Sequence, residues 1–283
     1  MDGSEGAEDA ADFLCSLPSS GNSVTVAGIS ELPDVVSMPQ TVETNAWQLA
    51  VQDFQKQTQK HIDNACNQFK NNNWQTSDTL RVGYPSDQIL ESAKNAEADV
   101  ICVGSRGLKG VKKLFLGSIS QRVLIEADRP VLLAHKRKNP EQTLKVMLAW
   151  DGSNDATKAK EFLKKFPLPE NSTLVTVHAV EMHDAFSQEM VESLKDWPQF
   201  FKDLNASTNS IAEEMQSHFK VSDAKTFETQ SKAYQAIIDH AEAKNIDLIV
   251  LGNSGKNSLS RFMMGSVSLQ TALHANCSVL VVK

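Results

Sequence analysis

Cysteine is scarce in this chain of 283 residues. Only Cys15, Cys66, Cys102 and Cys277 occur, and no two stand in a C-x-x-C pair or at a metal-ligand spacing. Such usage fits a reducing cytoplasm, and Cys102, in the middle of an apolar run, reads as a small core residue. No apolar run approaches the length of a membrane span, and the opening MDGSEGAEDAAD is acidic, which excludes a membrane helix and a signal peptide of the usual kind. Basic residues are in deficit, 28 Lys and Arg against 35 Asp and Glu, a net charge of −7. Non-specific nucleic-acid binding is therefore not the expected activity. Catalytic signatures are missing too. No loop ends in the Gly-Lys-Ser/Thr of a P-loop, no kinase-like catalytic loop occurs, and His183, His218, His240 and His274 show no metal spacing. His178 lies within an apolar run and reads as a structural histidine, and Glu213-Glu214 reads as a solvated helix face. With 41% hydrophobic and 22% charged residues, the chain is a soluble globular protein long enough for two domains.

One stretch is present twice. It reads GSRGLKGVKKLFLGSIS from Gly104 to Ser120 and GNSGKNSLSRFMMGSVS from Gly252 to Ser268. Both fit Gly, two residues, Gly, nine residues, Gly-Ser, placing Gly104, Gly107, Gly117 and Ser118 opposite Gly252, Gly255, Gly265 and Ser266. Each follows an apolar run and precedes a helical pattern and a short apolar strand, Val131 to Ala134 or Val279 to Val282. A strand, a glycine turn and a helix N-terminus favour an anion, because glycine lets backbone approach a ligand and the first helical N–H groups are free. Ser118 and Ser266 are candidates both to cap their helices and to donate a hydroxyl to phosphate. In the first loop, Arg106, Lys109, Lys112 and Lys113 add positive charge for a nucleotide, whereas Lys136, Arg137 and Lys138 read as a solvated linker.

The repeat extends over the whole chain. Met1-Asp2-Gly3-Ser4 matches Trp150-Asp151-Gly152-Ser153, Phe13-Leu14 matches Phe162-Leu163, Pro18 matches Pro167, and Asn22-Ser23 matches Asn171-Ser172. This is a duplicated domain, 1–138 and 143–283, joined by the polar stretch His135 to Thr143. Within the first copy the pattern predicts a helix over Ala7 to Leu17 capped by Ser4, a strand over Val24 to Ile29, a loop over Glu31 to Gln40 and a long amphipathic helix over Asn45 to Phe69. A strand through Leu80 to Gly83 and a helix over Ser86 to Asn95 follow. The fold class is α/β: two tandem Rossmann-like domains, each a mainly parallel sheet with helices on both faces. The second copy opens with a strand, Leu144 to Ala149, for which the first has no room. Its neighbours then lose pairing, at about 1–3 kcal/mol for each unpaired buried polar group. Either Met1 is an internal residue of that strand, aligned with Trp150, or the first domain is rearranged.

The two glycine loops resemble those of the universal stress protein family, in its ATP-binding branch, and the resemblance covers nearly the whole chain as two UspA-like copies. It implies a cytoplasmic, ATP-binding stress-response protein, with or without Mg²⁺, having no committed catalytic residues and at most slow ATP hydrolysis. It implies that Asp151 contacts the adenine or ribose side, that Ala179 packs on adenine, that Gly252, Ser254 and Gly255 wrap phosphate, and that Gly265, Ser266, Val267 and Ser268 donate N–H and hydroxyl groups. The matching positions of the first copy are Asp2, Gly28, Gly104, Arg106, Gly107, Gly117, Ser118, Ile119 and Ser120, with Asp2 lacking the strand that should position it. Last-strand edges are expected to pair the two domains within the chain and to support a homodimer. The rival readings are an adenine-nucleotide enzyme, an ATPase or transferase, and a scaffold whose loops bind nothing.

Overall fold

The computed structural model describes residues 1–30, 44–105, 116–181, 197–229, 231–255 and 264–283. The predicted loop from Glu31 to Gln40, the loop residues Arg106, Gly107, Lys109, Lys112 and Lys113, and His183 lie outside the described residues. The chain forms two compact units, Met1–Lys136 and Arg137–Lys283.

The second unit contains β5 (Lys145–Ala149), α5 (Asn154–Leu163), β6 (Thr173–Glu181), α6 (Trp197–Met215), β7 (Val221–Thr229), α7 (Ala233–Lys244), β8 (Leu248–Gly252), α8 (Ser266–His274) and β9 (Ser278–Val282). Its strands are all parallel, in the order β9-β8-β5-β6-β7. The middle strand β5 has Val146, Met147 and Leu148 fully buried, as a parallel strand covered on both faces must. Strand-helix alternation in the sequence thus becomes the doubly covered α/β sheet expected of it.

The first unit contains α1 (Glu5–Cys15), β1 (Ser23–Ser30), α2 (Thr44–Asn71), β2 (Gln75–Val82), α3 (Pro85–Asn95), β3 (Ile101–Gly104), α4 (Ser118–Glu126) and β4 (Val131–Ala134). The predicted α2 is amphipathic as expected at Ile62, which is fully buried, but Phe54 is half exposed. β1 pairs with β2 and β3 with β4, both parallel. Among the described residues no strand joins β1 to β3, whereas their counterparts β6 and β8 both pair with β5. Met1 stands where Trp150 stands in the second unit. Its ammonium donates to the Ala27 carbonyl, as the Trp150 N–H donates to the Val177 carbonyl at 2.8 Å.

That pairing makes Ala27 the counterpart of Val177. The turns before the strands agree, since Asn22 N–H bonds the Ser19 carbonyl and Ser172 N–H bonds the Pro169 carbonyl. The match of Asn22-Ser23 with Asn171-Ser172 is therefore off by one residue. The second copy carries one extra residue in the turn, and local identity cannot reveal which side of a turn absorbs it.

The basic stretch after β4 is not wholly solvated. Arg137 has a side chain only 7% exposed, 3.4 Å from Asp247, and its other nitrogens donate to the carbonyls of Pro140 and Gln142. Asp247 also accepts from the Lys145 N–H at 2.9 Å, so this cluster ties the stretch to the starts of β5 and β8. Glu214 is likewise not a free surface charge. It bridges Lys160 and Lys164 at 2.5 Å each, joining α6 to α5.

Candidate functional site

In the second unit the chain leaves β5 for β6 on one side and returns to β8 on the other. The carboxyl ends of β5 and β8 therefore flank a topological switch point, where such sheets leave a crevice. Asp151 follows β5, and the loop beginning at Gly252 follows β8. Asp151 Oδ1 accepts the Ser153 N–H at 2.9 Å, and Ser153 caps α5 by accepting the Ala156 N–H at 3.1 Å. The turn needs Gly152 at φ +74°. In the first unit Asp2 accepts the Ser4 N–H at 3.0 Å, Ser4 accepts the Ala7 N–H at 3.2 Å, and Gly3 has φ +75°. Asp2 thus adopts the same turn although no described strand precedes it.

The glycines divide into two kinds. A Cβ at Gly252 would fall 2.4 Å from the Asp155 carbonyl carbon, and one at Gly104 would fall 2.1 Å from the Gly6 carbonyl oxygen. These two are glycine because α5 and α1 cross the strand ends at backbone contact. The second kind lines the loop itself. A Cβ at Gly255 would meet Asp151 Oδ2 at 2.8 Å, and one at Gly265 would meet the Ser254 Cα at 3.1 Å. The Gly265 N–H bonds the Asn253 carbonyl at 2.8 Å and the Gly117 N–H bonds the Ser105 carbonyl at 3.0 Å, so both helix starts are tied to their strand ends alike.

The serines behave differently from expectation. Gly117 and Gly265 are the N-caps of α4 and α8, and neither cap has a side-chain bond. Ser118 and Ser266 are the first helical residues and are exposed. Ser120 and Ser268 are buried, and their hydroxyls donate to the carbonyls of Gly104 and Gly252 at 2.6 Å each. They staple helix to strand, so their hydroxyl protons are spent. Intrahelical bonding begins at Gln121 and Leu269, which donate to Gly117 and Gly265 at 2.8 and 3.0 Å. The N–H groups of Ser118, Ile119 and Ser120, and of Ser266, Val267 and Ser268, precede those first bonds and lie outside the helical ladder.

Ala179 lies near the end of β6, opposite Phe227 of β7. With Ala27 matching Val177, its counterpart is Ile29 and not Gly28. Gly28 instead matches His178, which is 9% exposed within β6. A Cβ at Gly28 would lie 2.5 Å from Ile62 and 2.8 Å from Thr58, so this glycine exists for the packing of α2.

Two residues of this region carried no signal in the repeat. Asp155, in the first turn of α5, accepts from the Ser254 N–H at 3.1 Å and the Ser254 hydroxyl at 2.5 Å, and from Lys158 at 2.8 Å. Burial pushes its pKa up, but hydrogen bonds from Lys158 and Ser254 outweigh this and hold the carboxyl below its usual range. Asn253 is 7% exposed, and its Oδ1 has no hydrogen-bond partner among the described residues. In the first unit His61 of α2 lies over the Asp2 turn, within 2.4 Å of where a Cβ of Gly3 would stand. The pattern of first-turn acids in helices hinted at Asp155, but the first copy has Gly6 in its place.

A model of the universal stress protein family matches residues 1–135 and again 143–283. The chain belongs to the universal stress protein family. Among its relatives, a universal stress protein of Thermus aquaticus is 53% identical over 54 residues, 19% of this chain and 39% of that one. Universal stress protein MJ0577 of Methanocaldococcus jannaschii is 29% identical over 84 residues, 30% of this chain and 51% of that one. A universal stress protein of Mycolicibacterium smegmatis is 24% identical over 211 residues, 69% of this chain and 64% of that one. The chain thus spans 39% to 64% of the length of these relatives. In fold it is similar to the crystal structure of a universal stress protein from Archaeoglobus fulgidus, with a TM-score of 0.67 and 20% identity over 100% of this chain and 96% of that one. A functionally unknown protein, PA1789, from Pseudomonas aeruginosa gives a TM-score of 0.57 at 14% identity, covering 92% of each chain. At these identities the likeness concerns the universal stress fold alone. Among the described residues no helix is long and apolar enough to cross a membrane.

Proposed function

We propose that this universal stress protein binds an adenine nucleotide, ATP in the first place, and acts as a cytoplasmic regulatory protein of the stress response. The observation that carries the reading is the start of α8. Beside Asp151, at the switch point between β5 and β8, three N–H groups at Ser266, Val267 and Ser268 lie outside the helical ladder behind a glycine N-cap. That donor set suits an anion, and the tight cradle at Gly255 and Gly265 leaves backbone rather than side chain facing the loop. Asp151 and Ala179 would hold the nucleoside side, and Gly252, Ser254, Gly255 and Gly265 the phosphates. In the first unit Asp2, Gly104, Gly117, Ser118, Ile119 and Ser120 are the corresponding residues, with Arg106 and Gly107, and Ile29 replaces Gly28 opposite Ala179.

Bound ATP would supply a charged group whose presence the two units report to partners, with or without Mg²⁺. The chain's own residues bind and orient it; neither loop repeats a carboxylate or histidine placed as a general base, so turnover is at most slow. Self-association to a homodimer belongs to the same reading and is followed by sedimentation with and without ATP.

The test is to denature protein purified without added nucleotide and identify by chromatography what it releases. Two ATP per chain supports both sites, and one supports a single site. None, with no calorimetric ATP binding at millimolar concentration with Mg²⁺, removes the reading and leaves the scaffold. Multiple-turnover phosphate release that vanishes in Ser266→Ala would instead favour an enzyme.

A further inference from the structure

The second unit already holds an anion on its phosphate loop. Ser254 offers a backbone N–H and a hydroxyl, and Asp155 Oδ2 accepts both, at 3.1 and 2.5 Å. Carboxylate and phosphate oxygens accept the same kind of charge-assisted hydrogen bond. Both cannot occupy this donor pair without bringing two negative charges together.

We infer that Asp155 is a resident competitor for the phosphate donors of Ser254, a side chain that must be displaced before the second unit takes a phosphorylated ligand. The inference rests on the nucleotide reading above and adds to it a regulated difference between the two sites.

Three observations carry it. Asp155 has a second partner waiting, since Lys158 Nζ lies 2.8 Å from Oδ1 and is itself half exposed. Release from Ser254 therefore does not strand the carboxylate. Next, the loop in its Asp155-bound arrangement leaves Asn253 Oδ1 buried without a partner among the described residues. An unpaired buried acceptor is unfavourable, and a rearranged loop offers a way to satisfy it. Finally, the two units differ in both partners of this pair, for the first loop reads Gly104-Ser105-Arg106-Gly107 where the second reads Gly252-Asn253-Ser254-Gly255. The Asp155 backbone crosses Gly252 at the contact where the Gly6 backbone crosses Gly104. Gly6 has no side chain, so the first unit holds no carboxylate at that position.

The backbone of Asp155 lies against the end of β8, since a Cβ on Gly252 would stand 2.4 Å from its carbonyl carbon. The side chain reaches Ser254 through hydrogen bonds alone and can leave by a rotamer change, without movement of α5. The second unit consequently has a weaker site than its bare donor set implies, and its loading responds to whatever draws Asp155 away.

The experiment uses the full chain, with hydrogen-deuterium exchange followed across an ATP titration. Peptides covering Gly252 to Ser254 and Gly265 to Ser268 report the second unit. Those covering Gly104, Ser105 and Gly117 to Ser120 report the first and serve as the internal control. Asp155→Asn keeps the shape and removes the charge, and Asp155→Gly copies Gly6. A thermal melt checks that each is folded. The expected result is about tenfold tighter ATP protection in the second unit of both variants, with adenosine binding and the first unit unchanged. Unchanged or weaker protection of the second unit in the variants, with ATP protection intact in the parent protein, overturns the inference alone and makes Asp155 an anchor that presents the loop. No ATP protection in either unit of any protein overturns it together with the nucleotide reading.

Discussion

Gly255 is pressed against Asp151, so closely that a Cβ at 255 would stand 2.8 Å from Asp151 Oδ2. The contact joins the end of the first strand of the second unit to the loop after its fourth, and it makes the absence of a side chain at the motif's second glycine part of how Asp151 is seated. The obstruction is the end of one side chain, so Gly255→Ala can be relieved by turning the carboxylate. The variant should lose less than about 1 kcal/mol of stability, while its ATP retention should fall about tenfold because Asp151 is misplaced. Unfolding in urea and nucleotide release from the same preparation check the two halves separately.

Gly252→Ala should behave in the opposite way. Its Cβ would collide with the Asp155 backbone, which has no rotamer to yield, and Gly104→Ala would collide with Gly6. Each should cost about 1–3 kcal/mol or more through strain on the helix that crosses it. Chemical unfolding measures this without any ligand.

Ser268→Ala and Ser266→Ala separate packing from binding within one helix turn. Ser268 donates to the Gly252 carbonyl at 2.6 Å from a buried position, and its loss should cost about 1 kcal/mol or somewhat more. Ser266 is exposed at the helix start, and its replacement should leave the melting temperature in place while weakening ATP. Melting curves taken with and without ATP distinguish them, because a ligand of the folded state raises stability by mass action.

Acid should loosen α6 from α5. Hydrogen bonds from Lys160 and then Lys164 hold the Glu214 carboxyl below its ordinary value of 4.5. A depressed folded pKa means that the stabilisation is present above 4.5 and is lost as pH falls through the lower folded value. Stability measured from pH 6 down to pH 3 should therefore decline less steeply in Glu214→Gln than in the parent protein, with the parent more stable at the upper end.

Much of the architecture was legible because it is written locally. Apolar alternation, glycine turns and the serine caps at Ser4 and Ser153 act over a few residues, and the repetition of each in a second copy removed ambiguity about the elements. The parallel, doubly covered character of the sheet could be expected from alternation alone, but its strand order could not.

Contacts between distant segments were another matter. The repeat marked Gly252 and Gly255 as one motif, but only packing shows that the first makes room for α5 and the second for Asp151. It marked Ser266 as a cap and Ser268 as a donor. In the folded chain the cap is Gly265, and the Ser268 proton belongs to the Gly252 carbonyl. Arg137 looked like a solvated linker residue until β8 brought Asp247 beside it. The pairing of Gly28 with Ala179 failed by one position, because the Met1–Ala27 and Trp150–Val177 bonds that fix the register join segments far apart in sequence and place Gly28 opposite His178.

By itself the sequence determined a duplicated α/β chain with an anion-favouring helix start in each copy, since periodicity and glycine spacing are local properties of the backbone. The tertiary structure decided which donors remain available, because a hydrogen bond between Ser254 and Asp155 depends on two segments about a hundred residues apart meeting within 3.1 Å.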